Sequence, residues 1–194
     1  QRRHLLRSAE RVPLEPGQVL AVPGMPVDHV YFPLDGYVTL VAPLEDGTIQ
    51  VGMVGNEGLV GVSLILGVAT SSLQALVQGG GTAVRIGART FQDEIARSPV
   101  LRRTLHRYFC VLVAQLALNT GCARFHLVEA RLARWLLMAR DCAHDHRFFI
   151  THEFLAGMLG VRRAGVTNAA TALQAANLIH YNRGNVTILN DRGL

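Results

Sequence analysis

Forty residues near the carboxyl end, ITHEFLAGMLGVRRAGVTNAATALQAANLIHYNRGNVTIL from Ile150 to Leu189, restrict this chain more than any other stretch, because they carry two helical periods with almost nothing between them. Thr151 can accept a free backbone N–H as an N-cap, and Glu153 puts negative charge in the first turn, so a helix starts at His152. Phe154, Leu155 and Leu159 give that helix one apolar face, and Gly160 suits the left-handed conformation that ends it. A second helix, over 162–176, puts Val166, Ala169, Ala170 and Leu173 on one side. It turns Arg162, Arg163, Thr167, Asn168 and Thr171 largely to the other. Helices joined so tightly cross closely, and small residues must stand where their backbones meet. Ala156, Gly160 and then Val166 supply that pattern.

Their spacing is the signature of a helix-turn-helix, whose second helix enters a DNA major groove. Beyond it, Leu178-Ile179 and Val186 to Leu189 read as strands around the turn Asn182-Arg183-Gly184-Asn185, a hairpin with an arginine at its tip and hence a wing. The competing reading is an ordinary helical hairpin beside a β-hairpin, with Arg162 and Arg163 as a solvated face. Charge favours the first. The net charge of +5 is uneven: residues 1–98 hold seven arginines against nine acids, 99–122 three arginines and no acid, and 123–194 nine arginines against five acids. A basic excess in the half that carries the two helices suits a polyanion, since neutralising phosphates releases counterions.

The amino half has another texture. Arg2 to Val12 reads as the end of a helix with Leu5, Leu6 and Ala9 on one face. From Leu14 onward short runs rich in Val, Ile, Leu, Tyr and Phe alternate with Gly, Pro and Asp-Gly turns: Gln18-Val22, Val30-Phe32, Tyr37-Ala42, Ile49-Val54, Leu73-Val77 and Thr82-Ile86. Evenly spaced strands predict a sandwich or barrel-like β domain, with Asp46-Gly47 as a hairpin turn. At 49% hydrophobic the chain can bury a full core. Its longest apolar runs, such as Leu59 to Val68, are broken by glycine and too short to cross a bilayer, so a soluble cytoplasmic protein without a membrane partner is expected. The chain opens on Gln1 instead of methionine and is expected to begin inside the natural sequence, where a targeting segment would be lost from view.

The segment LEPGQVLAVPGMPVDHVYFPLDGYVTLVAPLEDGTIQVGMVGNEGLVGVSLILG is similar to the β-roll sensor domain of the Crp/Fnr family of bacterial transcription regulators. The C-terminal stretch is similar to that family's winged helix, so the resemblance covers nearly the whole chain. It implies an α+β fold in three parts: a jelly-roll or cupin-like double-stranded β-helix of cyclic-nucleotide-binding type over 1–98, a long dimerisation helix over 99–122, and a winged helix-turn-helix over 123–194. It also implies double-stranded DNA, a second copy of the chain and RNA polymerase as partners. The arginine corresponding to Arg163 reads bases in the family. Bidentate contact of Arg162 and Arg163 to guanine is worth about 1–3 kcal/mol of discrimination. Thr167, Asn168 and Thr171 face the same way, to read adenine or touch phosphate, while Arg183 grips the backbone.

The chain departs from the family in two places. Cyclic-nucleotide binders carry a glutamate after a glycine and an arginine before a small residue. Here Gly61 is followed by Val62, and Ser71 and Ser72 bring hydroxyls without a guanidinium. These four residues are the candidate effector segment, for another small molecule or as an empty remnant, and tight cAMP or cGMP binding is not expected. On the recognition helix, Ala164 and Asn168 stand where the family often has an acid and a base, so a different DNA site is expected. Gly165 lowers helix stability by about 1 kcal/mol relative to alanine, either letting backbone approach a phosphate or simply being tolerated.

Between Phe91 and Cys122 the period is helical. Ser98-Pro99 is a natural start, and Leu105, Phe109, Leu112 and Leu116 repeat at fours and threes, the seam of a coiled coil. One core helix on the β domain would give the same period. The resemblance instead pairs the helix with its twin, which sets two reading helices about 34 Å apart on a palindrome. Gly121 is expected to break the helix as a hinge, and a further amphipathic helix over 126–142 buries Leu132, Trp135, Leu136 and Ala139. Cys110, Cys122 and Cys142 read as small core residues, without CxxC spacing.

An enzyme is not expected. The β half has one histidine after residue 4, His29, too few for a cupin metal site; near Tyr31 and Asp28 it reads as a polar surface or core-edge residue and not as an axial haem ligand, and no cysteine is there for an iron–sulfur cluster. Cys142, His144, Asp145 and His146 read as loop residues, His152-Glu153 misses the HExxH spacing, and neither GxSxG nor a Walker loop occurs. No cofactor or metal is predicted. The alternative to a DNA-binding regulator is an interaction or ligand-sensing module on the same fold that has lost DNA binding.

Overall fold

The computed structural model describes residues 9–45 and 47–194. The amino half is two antiparallel sheets face to face. One has the order β1-β7-β3, from β1 (Glu10–Leu14), β3 (His29–Pro33) and β7 (Gly81–Gly87). The other has the order β2-β6-β4-β5, from β2 (Val19–Ala21), β4 (Tyr37–Leu44), β5 (Gly47–Val54) and β6 (Gln74–Gly79). Alternation puts Leu14, Val38, Leu40, Val54, Ala75, Val77 and Ala83 between them in one core.

All six expected strands form, and a seventh replaces the helix end expected over Arg2–Val12. Residues 1–8, with Leu5 and Leu6, lie outside the described residues, but Arg11 pairs with Val84 and Val12 with Ala83 in β1. Val12 and Leu14 turn inward while Arg11 and Pro13 face out, a period of two that a window shared with the preceding residues obscured. Pro13, without an N–H, sits on an edge strand where no donor is required. Asp46 also lies outside the described residues; Leu44 pairs with Gly47 across the hairpin it belongs to.

Helix α1 (Ala88–Arg97) leads to α2 (Pro99–Phe125), which starts where Ser98 accepts a hydrogen bond from the Leu101 N–H and Pro99 opens the first turn. The expected break at Gly121 is absent. One interior glycine costs about 1 kcal/mol, and Asn119, which donates to the Val51 carbonyl at 2.6 Å, pins this end of the helix to β5. The chain leaves the helix at His126 and Leu127, both extended at ψ, a few residues past the expected boundary.

The seam residues divide differently from a dimer seam. Leu105 and Leu112 are buried in the protomer's own cores, Leu105 with Phe91 and Ile95, Leu112 in the cluster that holds Val38, Leu40 and Val54 of the β-roll. Phe109 and Leu116 are half-buried. Four-and-three spacing serves a neighbour within the protomer as well as a helical twin, and Leu105 and Leu112 are already covered within the protomer. Val100, Val111, Val113 and Leu118 are exposed instead. By length and composition alone α2 is long and apolar enough to cross a membrane. One side of it packs on the β domain through Leu105 and Leu112.

The carboxyl half is α3 (Val128–Ala143), β8 (Arg147–Phe149), α4 (His152–Leu159), α5 (Arg163–Ala175), β9 (Ile179–Asn182) and β10 (Asn185–Ile188). Its core gathers Leu132, Trp135, Leu136, Leu155, Val166 and Leu173, and it also takes in Tyr37 and Met53 from the β domain. Of the cysteines only Cys142 is buried; Cys110 is exposed and Cys122 intermediate, contrary to their reading as core residues. Burial, followed by the Glu57 charge, pushes the Cys142 thiol up to about 12.

Candidate nucleic-acid interface

The two short helices form as the sequence dictates. Thr151 caps α4 by accepting the Phe154 N–H at 3.2 Å, and Gly160 ends it at φ 61°. Val166, Ala169, Ala170 and Leu173 of α5 are buried, while Arg162, Arg163, Ala164, Thr167, Asn168 and Thr171 are exposed, so the candidate reading residues share one solvent face. Arg162 is the N-cap, it makes no side-chain capping bond, and no acid stands in the first turn. The helix thus presents free backbone N–H groups flanked by two guanidiniums, an arrangement that favours an anion.

The threonines are less free than their exposure suggests. Thr167 donates to the Arg163 carbonyl at 3.1 Å and Thr171 to the Thr167 carbonyl at 2.9 Å. Both hydroxyls keep acceptor capacity but have used their proton, which leaves Asn168 as the side chain able to donate and accept together.

His152 was not singled out from sequence as part of this surface, and it holds the surface together. Its Nδ1 lies 3.0 Å from Thr167 Oγ1, whose proton is committed to Arg163, so Nδ1–H is the donor. The ring stacks on Tyr181 of β9 at 4.3 Å between centroids, and the Tyr181 hydroxyl donates to the Ile150 carbonyl at 2.8 Å. Burial, then the Arg163 charge, lowers the His152 pKa below the ordinary histidine value. Gln174 of α5 accepts the Tyr181 N–H at 2.8 Å. Helix α5 is thereby tied to α4 and to the hairpin beyond it. The signal for this was an aromatic-plus-imidazole pair 29 positions apart, which no local period reveals.

The wing is the sheet β8-β10-β9. Arg183 and Gly184 take φ 48° and 89° at its tip, two successive positive values that a two-residue hairpin of primed type needs. A Cβ on Gly184 would lie 2.5 Å from the Phe149 ring, so glycine is required there twice over. Arg183 is exposed at the tip, in the place expected.

Of the four residues read as a loop, Cys142 lies in the last turn of α3, and it does not converge with His144, Asp145 and His146. Cys142 faces Gly55, His144 Nε2 accepts from Asn56 Nδ2 at 2.8 Å, Asp145 accepts the Arg147 N–H at 2.9 Å and His146 meets Asp191 at 3.0 Å. In the candidate effector segment, Gly61 at φ 96° starts a 3-10 helix over Val62–Leu66, and Val62 is packed against the β cores. The Ser71 hydroxyl donates to the Leu73 carbonyl at 2.6 Å and accepts the Leu73 N–H at 3.2 Å, while Ser72 is exposed. No cation stands among these four.

A two-sheet β-roll joined by a long helix to a winged helix-turn-helix with an exposed arginine-rich reading face defines a DNA-binding protein with an appended sensor-type domain. Residues 11–98 match the model of the cyclic nucleotide-binding domain and residues 130–194 that of the Crp-like helix-turn-helix domain. The chain belongs to the Crp/Fnr family of helix-turn-helix transcription regulators, a family of regulators and not of enzymes. Among solved structures, the fold is shared with a transcriptional regulator of the Crp/Fnr family from Eubacterium rectale, at 15% identity over 98% of this chain and 90% of that one, TM-score 0.78. It is shared with a CRP/FNR-family regulator from Thermus thermophilus, at 22% identity over 95% of each chain, TM-score 0.77. FixK2 from Bradyrhizobium japonicum is similar at 14% identity over 95% of this chain and 94% of that one, TM-score 0.80. No curated protein matches the chain.

Proposed function

We propose that this regulator works in the cytoplasm as a homodimer that reads a palindromic DNA site through α5, controlled by a small molecule other than a cyclic nucleotide, with RNA polymerase as a further partner. The observation that carries this reading is the single solvent face holding Arg162, Arg163, Asn168 and Thr171 beside an uncapped helix N-terminus. The guanidinium of Arg163 suits guanine, the amide of Asn168 suits adenine, and Arg183 at the wing tip suits phosphate. Thr167 belongs to the same face but is partly an internal brace. The exposed apolar row on α2 supplies a surface for the second copy. Against cyclic nucleotides speak Val62, which has no group for a ribose hydroxyl, and Ser71, whose hydroxyl is spent within its own turn.

Fluorescence anisotropy against a pool of upstream duplexes from the source genome, across salt, tests the reading. Wild type should enrich a palindrome. Arg163→Ala should lose about tenfold to a hundredfold in discrimination, the equivalent of about 1–3 kcal/mol, while its salt-dependent nonspecific binding persists. Equal behaviour of the two proteins, or no DNA binding at any salt, sinks the proposal in favour of an interaction module.

A further inference from the structure

A cavity of about 400 Å³ lies where the β-roll, the end of α2 and the DNA-binding domain meet. Val51 of β5, Leu116 of α2, and Trp135 and Met138 of α3 make most of its walls apolar. Ligand pockets run from about 300 to 1,000 Å³ with a few convergent polar groups on apolar walls. Gly61, Val62, Ser71 and Ser72 take no part in it. It is a different place from the segment where a cyclic nucleotide would be expected.

Two cations line this cavity, Arg131 and Arg134. Arg131 donates to the Leu159 carbonyl, and Arg134 donates through Nε and Nη2 to Asn119 Oδ1 at 3.3 and 3.1 Å. Both acceptors are neutral, and among the described residues neither arginine forms an ion pair. Each guanidinium has five N–H donors, so both keep donors free for an anion. Asn119 also donates to the Val51 carbonyl, so the arginine, the long helix and the sheet are linked around one opening. We propose that this cavity is a binding site for a small carboxylic acid with an aliphatic or aromatic body, the apolar part against Leu116, Trp135 and Met138 and the carboxylate on Arg131 and Arg134. A nucleotide would bring more polar groups than these walls can pair.

Since the walls come from three parts of the chain, an occupant shifts DNA affinity by the ratio of its affinities for the free and DNA-bound arrangements. The site therefore deepens the regulator reading by naming its effector class, yet the two are tested apart. Trp135, the only tryptophan, reports on the cavity directly. Its emission is titrated with submicellar decanoate and with 1-decanol as the uncharged counterpart, on the full chain, each variant first checked for a wild-type melt.

A saturable change with decanoate is expected. Binding should be at least tenfold weaker for decanol and for Arg134→Gln, and lost in Ala123→Phe, where an exposed wall residue gains a ring that fills the space. An unsaturable response, or variants that bind decanoate like wild type, overturns the site. Palindrome selection without decanoate binding overturns the site and leaves the DNA reading intact; decanoate binding without DNA selection does the reverse.

Discussion

Two glycines on the DNA-facing half make opposite demands. Gly184 is bound to its place by a positive φ and by the Phe149 ring. Gly165, inside α5, has ordinary helical backbone, and a Cβ built there meets only Val128 Cγ2 at 3.9 Å, normal van der Waals contact. Nothing inside the protein asks for glycine at 165. Gly165→Ala should therefore raise stability by about 1 kcal/mol, read as a higher midpoint in urea at unchanged m-value. A matching fall in nonspecific DNA affinity would mark the site of a close phosphate approach. The reading face itself was legible, because exposure along α5 follows the 3.6-residue period. What each side chain can offer was not. The protons of Thr167 and Thr171 go to carbonyls one turn back, and His152 reaches Thr167 across a gap that only the folded helix pair closes.

Among elements, α2 shows how one period suits two kinds of neighbour. Leu105 and Leu112 satisfy a coiled-coil seam, and they equally satisfy a helix packed on its own protomer, where Leu105 joins Phe91 and Ile95 of α1 and Leu112 joins the β-roll core. The unpartnered row is Val100, Val111 and Leu118, which fall within about 20° of one another around the helix and are 60, 65 and 60% exposed. The proposed dimer should form there. Val111→Arg combined with Leu118→Arg is expected to give a folded monomer by light scattering with weakened palindrome binding. Leu112→Ala should remain dimeric where folded but lose about 2–5 kcal/mol of stability through its cavity. Dimeric behaviour in the double arginine variant would remove this face from consideration. Strand β1 was missed for a related reason, a short alternation on an edge next to residues of another texture, and Gly121 was read as a hinge because the clamp of Asn119 on Val51 is a tertiary contact.

At the scale of the molecule the question is whether sensor and reader move as one. The Trp135 indole N–H donates to Gln50 Oε1 at 2.6 Å, and Trp135 is 4% exposed. Tyr37 and Met53 of the β-roll are counted in the same buried cluster as Leu132, Leu155 and Val166 of the reader. A buried indole donor left without its acceptor costs about 1–3 kcal/mol, and all of that cost falls on the junction. Wild type is expected to unfold with coincident transitions, Trp135 fluorescence following far-ultraviolet circular dichroism. In Gln50→Leu, which keeps bulk but has no acceptor, the fluorescence transition should come first, because the reader detaches and loosens before the β-roll melts. Gln50→Glu retains an oxygen for the indole and should keep the two curves together. Coincident curves in Gln50→Leu would mean that Tyr37 and Met53 alone couple the domains, and a signal entering the junction cavity would then have to travel through packing and not through this hydrogen bond.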